Sequence, residues 1–155
     1  MLNFDLHCHS IVSDGVLKPA AVAARARANG VQVWALTDHD EIGGIAAARV
    51  AAQELGMHYV TGVEISITWG GQVVHIVGLQ IDETNSALVQ GLAATRAGRD
   101  QRGRDMGQQL AIAGIPNAYE GALKYVGNPS LISRTHFARY IVELGICRDI
   151  SDVFR

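Results

Sequence analysis

The stretch Asp5-Leu6-His7-Cys8-His9-Ser10, followed by Ser13-Asp14-Gly15, decides the fold of this chain. Apolar and polar residues alternate at its start, which predicts a short β-strand. Because residues two apart in a strand share a face, His7 and His9 are expected on one side, with Asp14 in a turn beyond. Two imidazoles and a carboxylate are suitable donors for a divalent metal. An isolated His-x-His is more often a polar strand end, so the metal interpretation depends on the rest of the chain.

Strand and helix patterns alternate along the first half of the sequence. Helices are predicted over residues 17–30 and about 42–55, each ended by a glycine. Strands are predicted over residues 31–37, 59–65 and 73–79, with Gly70-Gly71 forming a hairpin turn. This order indicates an α/β fold with a parallel sheet or barrel, in which functional groups gather at the C-terminal ends of the strands.

Metal-binding side chains recur at these predicted strand ends. The candidate ligands are His7, His9, Asp14, His39, Glu64 and His75. Nitrogen and oxygen donors together fit manganese, zinc or iron better than calcium or magnesium, and a carboxylate such as Glu64 can bridge two ions. Of the three metals, manganese is the one expected. His75 lies on an apolar strand and would, without the other five, be interpreted as a core histidine. His58 is assigned a structural role.

Length and composition set further bounds on the protein. The chain has 155 residues, 48% apolar and 18% charged, which predicts one soluble globular domain. No apolar run approaches the ~20 residues needed to span a bilayer, and no signal segment is visible, so a cytoplasmic location without membrane association is expected. Cys8 and Cys147 are the only cysteines and lie far apart in the sequence, which predicts free thiols.

Residues 83–155 have a helical pattern and a different charge balance. Helices are predicted from residue 84 to about 113, from 117 to about 127, and from 134 to 144, the last capped by Ser133. Residues 1–82 carry four basic and eight acidic side chains, whereas residues 83–155 carry nine basic and seven acidic ones. This asymmetry suits a cation site followed by an anion-binding surface, although chance alone produces imbalances of this size.

The motifs together resemble the PHP (polymerase and histidinol phosphatase) superfamily over about residues 2–80. The segments that carry the resemblance are 5–10, 13–15, 35–40 with Gly43-Gly44, 62–65 and 74–79. The helical segment, with Ser133-Arg134-Thr135-His136-Phe137-Ala138, resembles the insertion of the TrpH-like branch. The resemblance implies the N-terminal part of a distorted seven-stranded β/α barrel over residues 1–82, followed by a helical insertion over residues 83–155.

The resemblance also implies a cluster of two or three divalent ions. By position in the family motifs, His7 and His9 would bind one ion, Asp14 and His39 a second, and His75 would belong to a third. Glu64 would bridge ions. The implied reaction removes a phosphate from a nucleoside 3′,5′-bisphosphate, or from the 5′ end of short RNA, by attack of a metal-bound hydroxide. Duplex DNA is not an expected partner. The alternatives are a histidinol-phosphate-type phosphatase and a non-catalytic metal-binding module.

Substrate contacts are expected in the helical segment. The candidate residues are Arg99, Arg102, Arg134 and Thr135. Arginine forks bind phosphate oxygens bidentately, and the backbone N–H groups that begin a helix attract an anion. The alternative to phosphate binding is that the arginines form an ordinary solvent-exposed helix face and that Ser133 is an ordinary helix cap.

Completion of the barrel is a separate expectation. Members of the superfamily continue through further strands that carry another histidine and an Asp-x-His pair. We therefore expect the barrel to be incomplete within these 155 residues, and to be completed by further sequence or by another chain.

Overall fold

A computed structural model describes residues 1–155, which divide into two compact units, Met1–Thr95 and Arg96–Arg155. The first unit combines helices with strands, which confirms the predicted α/β class, and the second contains helices only. The boundary between the units falls inside a helix. The predicted division at residue 82 between barrel and insertion stays a prediction. None of the helices has the length and apolar character needed to span a bilayer.

Three short parallel strands form the centre of the first unit. They are β1 (Phe4–Asp5), β2 (Val33–Trp34) and β3 (His58–Tyr59), hydrogen-bonded in the order β1-β2-β3. The regular ladders are much shorter than predicted. Ala35 N donates to Asp5 O and Thr37 N donates to Cys8 O. Between these two hydrogen bonds, the segment that continues β1 advances three residues, whereas the segment that continues β2 advances only two. The extra residue bulges out of the ladder and ends regular pairing just before the histidines.

Helices α1 (Pro19–Ala28) and α2 (Ile45–Glu54) connect the parallel strands and pack against each other. Their buried faces consist mainly of alanine, whose small side chain lets the helices approach the indole of Trp34 closely. The buried core residues are Ala23, Ala26, Val31, Trp34, Leu36, Ala48, Ala51, Ala52 and Met57. Gly30 and Gly56 follow the two helices with positive φ angles, as the predicted helix ends require.

Strands β4 (Gly62–Trp69) and β5 (Gln72–Leu79) form the predicted antiparallel hairpin, with Gly70 and Gly71 in the turn. Glu64 was expected at the C-terminal end of a strand over residues 59–65, and this expectation is wrong. The chain breaks into two strands there, and Glu64 is the third residue of β4. A Cβ on Gly62 would lie only 2.8 Å from Thr37 Cγ2, so only glycine lets the chain cross this closely.

The second unit contains most of the helices. The elements after the hairpin are α3 (Ser86–Ala97), α4 (Arg99–Ile112), α5 (Ala118–Leu123), α6 (Arg134–Glu143) and α7 (Ile150–Val153), with a 3₁₀ turn at Pro129–Leu131. The single long helix predicted to residue 113 is therefore wrong, because the helix is divided at Gly98. A Cβ on Gly98 would lie 2.7 Å from an Arg102 guanidinium nitrogen, so the arginine side chain lies over this break.

Candidate metal centre

Six side chains from three segments of the first unit converge on one place. They form three overlapping groups: His7, His9 and Glu64; His9, Asp14 and His39; and His39, Glu64 and His75. Within each group the candidate ligand atoms lie within 4.8 Å of one another. The structure therefore brings together all six residues that the sequence singled out, although their role as ligands stays a prediction.

Glu64 lies at the centre of this cluster. Its Oε2 atom is 2.8 Å from His7 Nε2, 3.1 Å from His9 Nε2 and 3.6 Å from His39 Nδ1. Its Oε1 atom is 3.9 Å from His75 Nδ1. The residue is 5% exposed. A carboxylate this deeply buried needs compensating positive charge or hydrogen-bond donors, and four imidazoles are the nearest groups that could share a cation with it.

Asp14 joins His9 and His39 on another side of the cluster. Asp14 Oδ1 lies 3.8 Å from His9 Nδ1, and Asp14 Oδ2 lies 3.9 Å from His39 Nε2. The His9 and His39 rings stack with their centroids 4.5 Å apart. These separations are too long for direct hydrogen bonds, but they leave room for a cation among the three side chains.

A tight turn carries Asp14 back toward His9. The backbone N–H groups of Ser13 and Gly15 both donate to Ser10 O. A Cβ on Gly15 would lie 2.5 Å from His9 O, a separation that real Cβ atoms do not show. The turn therefore requires glycine at this position, which explains why the sequence places Gly15 directly after the proposed ligand.

The segment after β2 holds His39 against Glu64. The two residues form a parallel bridge, in which Asp40 N donates to Glu64 O at 2.8 Å and Glu64 N donates to Asp38 O at 3.2 Å. Asp40 has a φ of 52° and its Oδ1 accepts a hydrogen bond from Ser66 N at 2.6 Å. The sequence pattern predicted no role for Asp38 or Asp40, although both are neighbours of His39 in the chain.

The donor atoms fit a divalent metal by distance and by chemistry. Metal–nitrogen bonds of about 2.1 Å at tetrahedral angles place neighbouring donors roughly 3.4 Å apart. His7 Nε2 and His9 Nε2 are 3.3 Å apart, and they lie 2.8 Å and 3.1 Å from Glu64 Oε2. The buried Nδ1 atoms of His9 and His39 have no hydrogen-bond partner. Unpaired buried nitrogens facing a carboxylate are consistent with ligands for a cation.

The electrostatic environment of His39 favours the neutral, metal-binding form of its ring. Burial lowers the pKa of His39, and the nearby Asp14 carboxylate opposes this effect. The lowered pKa means that the unfolded chain binds this proton more tightly than the folded protein does. His39 therefore destabilises the fold as the pH falls below the ordinary histidine pKa, and this cost is absent above it.

The proposed substrate contacts lie in the second unit. Arg99 begins α4 and is only 8% exposed, so it is not part of a solvated arginine face. Gly98 separates it from Arg96, which lies on α3, so these two arginines do not share the single long helix that the sequence predicts to residue 113. Arg102 is exposed. Because Arg99 is buried and Arg96 lies on another helix, helical spacing does not support a shared phosphate-binding face.

The start of α6 provides the other two predicted contacts. Ser133 caps this helix as expected, and its backbone N–H donates to His136 Nδ1 at 3.0 Å. Arg134 is exposed and Thr135 is half-buried. Phosphate binding by the four candidate residues stays a prediction. His58 is exposed at the start of β3 and belongs to none of the metal-binding groups.

Comparison with known proteins identifies the family of this chain. The family model described as "PHP domain" matches residues 5–126. The chain belongs to the PHP domain family. The match covers all six proposed ligands and the start of the second unit.

Two curated relatives align with almost the whole of this PHP domain chain. It is 49% identical over 155 residues to a 3′,5′-nucleoside bisphosphate phosphatase of Chromobacterium violaceum, covering 100% of this chain and 54% of that protein. It is 45% identical over 152 residues to a 5′-3′ exoribonuclease of Haemophilus influenzae, covering 98% of this chain and 55% of that protein. The chain thus spans about half the length of the curated relatives it matches.

One solved structure has the same fold at close similarity. It is described as an amidohydrolase from Chromobacterium violaceum with bound sulfate and no metal. The TM-score is 0.95 at 49% identity, over 99% of this chain and 54% of that one. The described fold is therefore shared with an experimentally solved relative.

Proposed function

We propose that this PHP domain belongs to a metal-dependent phosphoesterase that removes phosphate from a nucleoside 3′,5′-bisphosphate or from the 5′ end of short RNA. The observation that carries the proposal is the buried Glu64 carboxylate surrounded by four imidazoles. The names of the relatives, a bisphosphate phosphatase and an exoribonuclease, support this substrate class. The sulfate in the solved relative shows that a tetrahedral anion binds to that protein.

Two or three divalent ions would be held by the six clustered side chains, with manganese proposed first and zinc or iron as alternatives. When bound, such ions lower the pKa of water and neutralise charge on phosphoryl oxygens. Without them, the Glu64 and Asp14 carboxylates would repel a phosphate group. Glu64 orients the rings of His7 and His9 toward a common point, and burial, which lowers the pKa of His39, favours the neutral form of that ring.

The protein side chains beside the cluster are poorly suited to act as nucleophiles. Ser10 and Ser13 are buried, and both hydroxyl groups donate to Asp38. Burial raises the pKa of the Cys8 thiol to about 12, and the thiol donates to Ala35 O. These contacts favour direct attack by water over a covalent phosphoryl-protein intermediate. Trapping such an adduct during turnover would contradict this step.

The experiment that tests the function is phosphate release from a nucleoside 3′,5′-bisphosphate by the purified full-length protein with Mn²⁺. We expect turnover that is lost with Glu64→Gln, a change that keeps the side-chain shape and removes its charge. Faster hydrolysis of histidinol phosphate would favour the first alternative. Tight Mn²⁺ binding with no hydrolysis of any phosphoester would favour the non-catalytic module. The cytoplasmic location stays a prediction.

A further inference from the structure

We propose that Asp38 is a positioning residue that fixes the geometry of the His9, Asp14 and His39 group. The inference rests on the proposed metal centre, because it concerns how the chain holds three of its ligands. Asp38 belongs to none of the groups that could bind an ion. Its contribution would come through the backbone segments that carry the ligands.

The Asp38 carboxylate is hydrogen-bonded only to the turn that precedes Asp14, among its described contacts. Ser10 N donates to Oδ1 at 2.7 Å, and Ser13 Oγ donates to the same oxygen at 2.6 Å. Ser10 Oγ donates to Oδ2 at 2.7 Å. Both carboxylate oxygens therefore face the turn, which explains why Asp38 is not among the candidate ligands.

These three bonds connect the two ligand-bearing segments. Asp38 is the sequence neighbour of His39, and it bonds to residues that directly adjoin His9 and Asp14. The turn between His9 and Asp14 is thus fastened to the segment that begins with Asp38. A shift of this turn would change the separations of 3.8 Å and 3.9 Å that Asp14 makes with the two rings.

The surroundings of Asp38 leave little freedom for rearrangement. Asp38 is 2% exposed, Ser10 is 0% exposed and Ser13 is 3% exposed. A Cβ on Gly44 would lie 3.1 Å from Asp38 Oδ2 and 2.9 Å from a Leu36 methyl carbon, so the pocket is closely packed. Hydrogen bonds to a buried charged group are stronger than those to a neutral one, because no water competes for the same atoms. The carboxylate therefore holds the turn in one position.

The test measures metal binding, independently of hydrolysis. Mn²⁺ affinity is determined by calorimetry, and bound ions are counted by elemental analysis, for Asp38→Asn and Ser13→Ala. Asn keeps the shape of the side chain but removes its charge, and Ala removes one of the three donors. Groups that orient metal ligands typically change metal affinity by roughly 10- to 100-fold when they are replaced. We expect a loss of this size for Asp38→Asn and a smaller loss for Ser13→Ala.

A double variant tests whether Asp38 acts through Asp14. If Asp38 acts through Asp14, then Asp38→Asn combined with Asp14→Ala should bind metal as Asp14→Ala does alone. The matched control is Thr84→Ala, which also removes a hydroxyl-to-carboxylate hydrogen bond, from Thr84 to Asp82 at 2.6 Å. This exposed bond lies in the segment before α3, and the control should bind metal like the unsubstituted protein.

Three results would overturn the inference. The first is unchanged Mn²⁺ affinity in folded Asp38→Asn and Ser13→Ala. The second is an additive loss in the double variant, which would mean that Asp38 does not act through the turn that positions Asp14. The third is the absence of Mn²⁺ binding by the unsubstituted protein, which would overturn the metal centre itself. Only the third result contradicts the proposed function as well.

Discussion

At the scale of single residues, Glu64 and Asp14 differ in the number of ligand groups they join. Glu64 belongs to two of the three groups, whereas Asp14 belongs to one. Replacing Glu64 with Ala should therefore release more metal than replacing Asp14 with Ala, because its loss removes a shared donor from two groups. Elemental analysis of both variants measures the difference. Full metal content in Glu64→Ala would be incompatible with a bridging role.

Cys8 lies between His7 and His9 in the sequence, but its thiol packs against the core of the first unit and should be chemically inert. Trp34 Nε1 donates to its sulfur at 3.2 Å, and burial raises the thiol pKa to about 12. At pH 8 the thiolate fraction is on the order of a thousandfold lower than for a free cysteine thiol of ordinary pKa. Iodoacetamide followed by peptide mass spectrometry should label Cys147 well before Cys8. Equal labelling of the two in the native protein would contradict this prediction, and the unfolded chain provides the control.

Arg134 is a better test of the second-phosphate hypothesis than Arg99, since Arg134 is exposed and its replacement leaves the core of the second unit intact. If Arg134 binds the phosphate that is not cleaved, Arg134→Ala should lower kcat/KM for a nucleoside 3′,5′-bisphosphate by roughly 10-fold, the size of one charge-assisted contact. Hydrolysis of a simple monophosphate should change little. Equal losses on both substrates would remove the basis for the bisphosphate assignment.

The control for Arg134 is another exposed arginine of the second unit. Arg148 is 80% exposed at its side chain and pairs with Asp152 four residues on. Arg148→Ala removes the same charge and is expected to leave both activities unchanged. Comparable losses in the two variants would indicate a general effect of charge.

At the scale of elements, the turn before Asp14 is built on a glycine that tolerates no side chain. A Cβ at Gly15 would overlap His9 O at 2.5 Å and His9 C at 2.7 Å, both backbone atoms that cannot rotate away. A side chain at position 15 would therefore occupy space that the backbone of His9, a proposed ligand, already fills. The change Gly15→Ala tests how tightly the metal centre depends on this contact.

We expect Gly15→Ala to destabilise the protein by about 1–3 kcal/mol and to weaken metal binding, because the turn must move away from His9. Thermal unfolding and a Mn²⁺ titration measure the two effects. Gly91→Ala is the matched control. Gly91 lies in α3 with no atom within 4 Å of the added Cβ, so alanine should stabilise the helix by about 0.5–1 kcal/mol. Normal metal affinity in Gly15→Ala would show that the turn can relax.

At the scale of the whole molecule, the first unit exposes a large amount of apolar surface. One face of the β4-β5 hairpin carries Ile67, Trp69, Val74 and Ile76, which we call the apolar hairpin face. Their exposed fractions are 37%, 75%, 37% and 50%. A groove of about 450 Å³ beside β1 is lined by apolar side chains that include Phe4, Leu6 and Val60. Contiguous apolar surface of this kind promotes association between protein molecules.

The 155-residue chain should therefore associate in a concentration-dependent way. Replacing Trp69 with Ser and Ile76 with Thr on the apolar hairpin face should shift it toward the monomer, because these side chains would no longer be buried between copies. Sedimentation velocity over a range of concentrations measures the change. Ile112→Thr is the control, since Ile112 is 80% exposed at the end of α4. A monomer at all concentrations, before any substitution, would contradict the prediction.

The sequence by itself determined the type and order of most elements and the identity of the clustered side chains. The glycines that end α1 and α2 and the Gly70-Gly71 turn are local signals, so they were predictable. His7, His9 and His39 were predictable because parallel strands bring their C-terminal ends to one edge, and these histidines follow such ends in the sequence. Glu64 and His75 lie instead within the antiparallel hairpin, so strand ends do not account for their positions. Free cysteines were also predicted correctly.

Only the tertiary structure decided where strands end and which polar groups become partners. The bulge after β1, the position of Glu64 within β4 and the burial of Arg99 depend on contacts between distant segments. The bonds from Ser10 and Ser13 to Asp38 span 28 and 25 residues. Periodicity reports which face of an element is apolar, but it contains no information about which buried donor meets which acceptor across such separations.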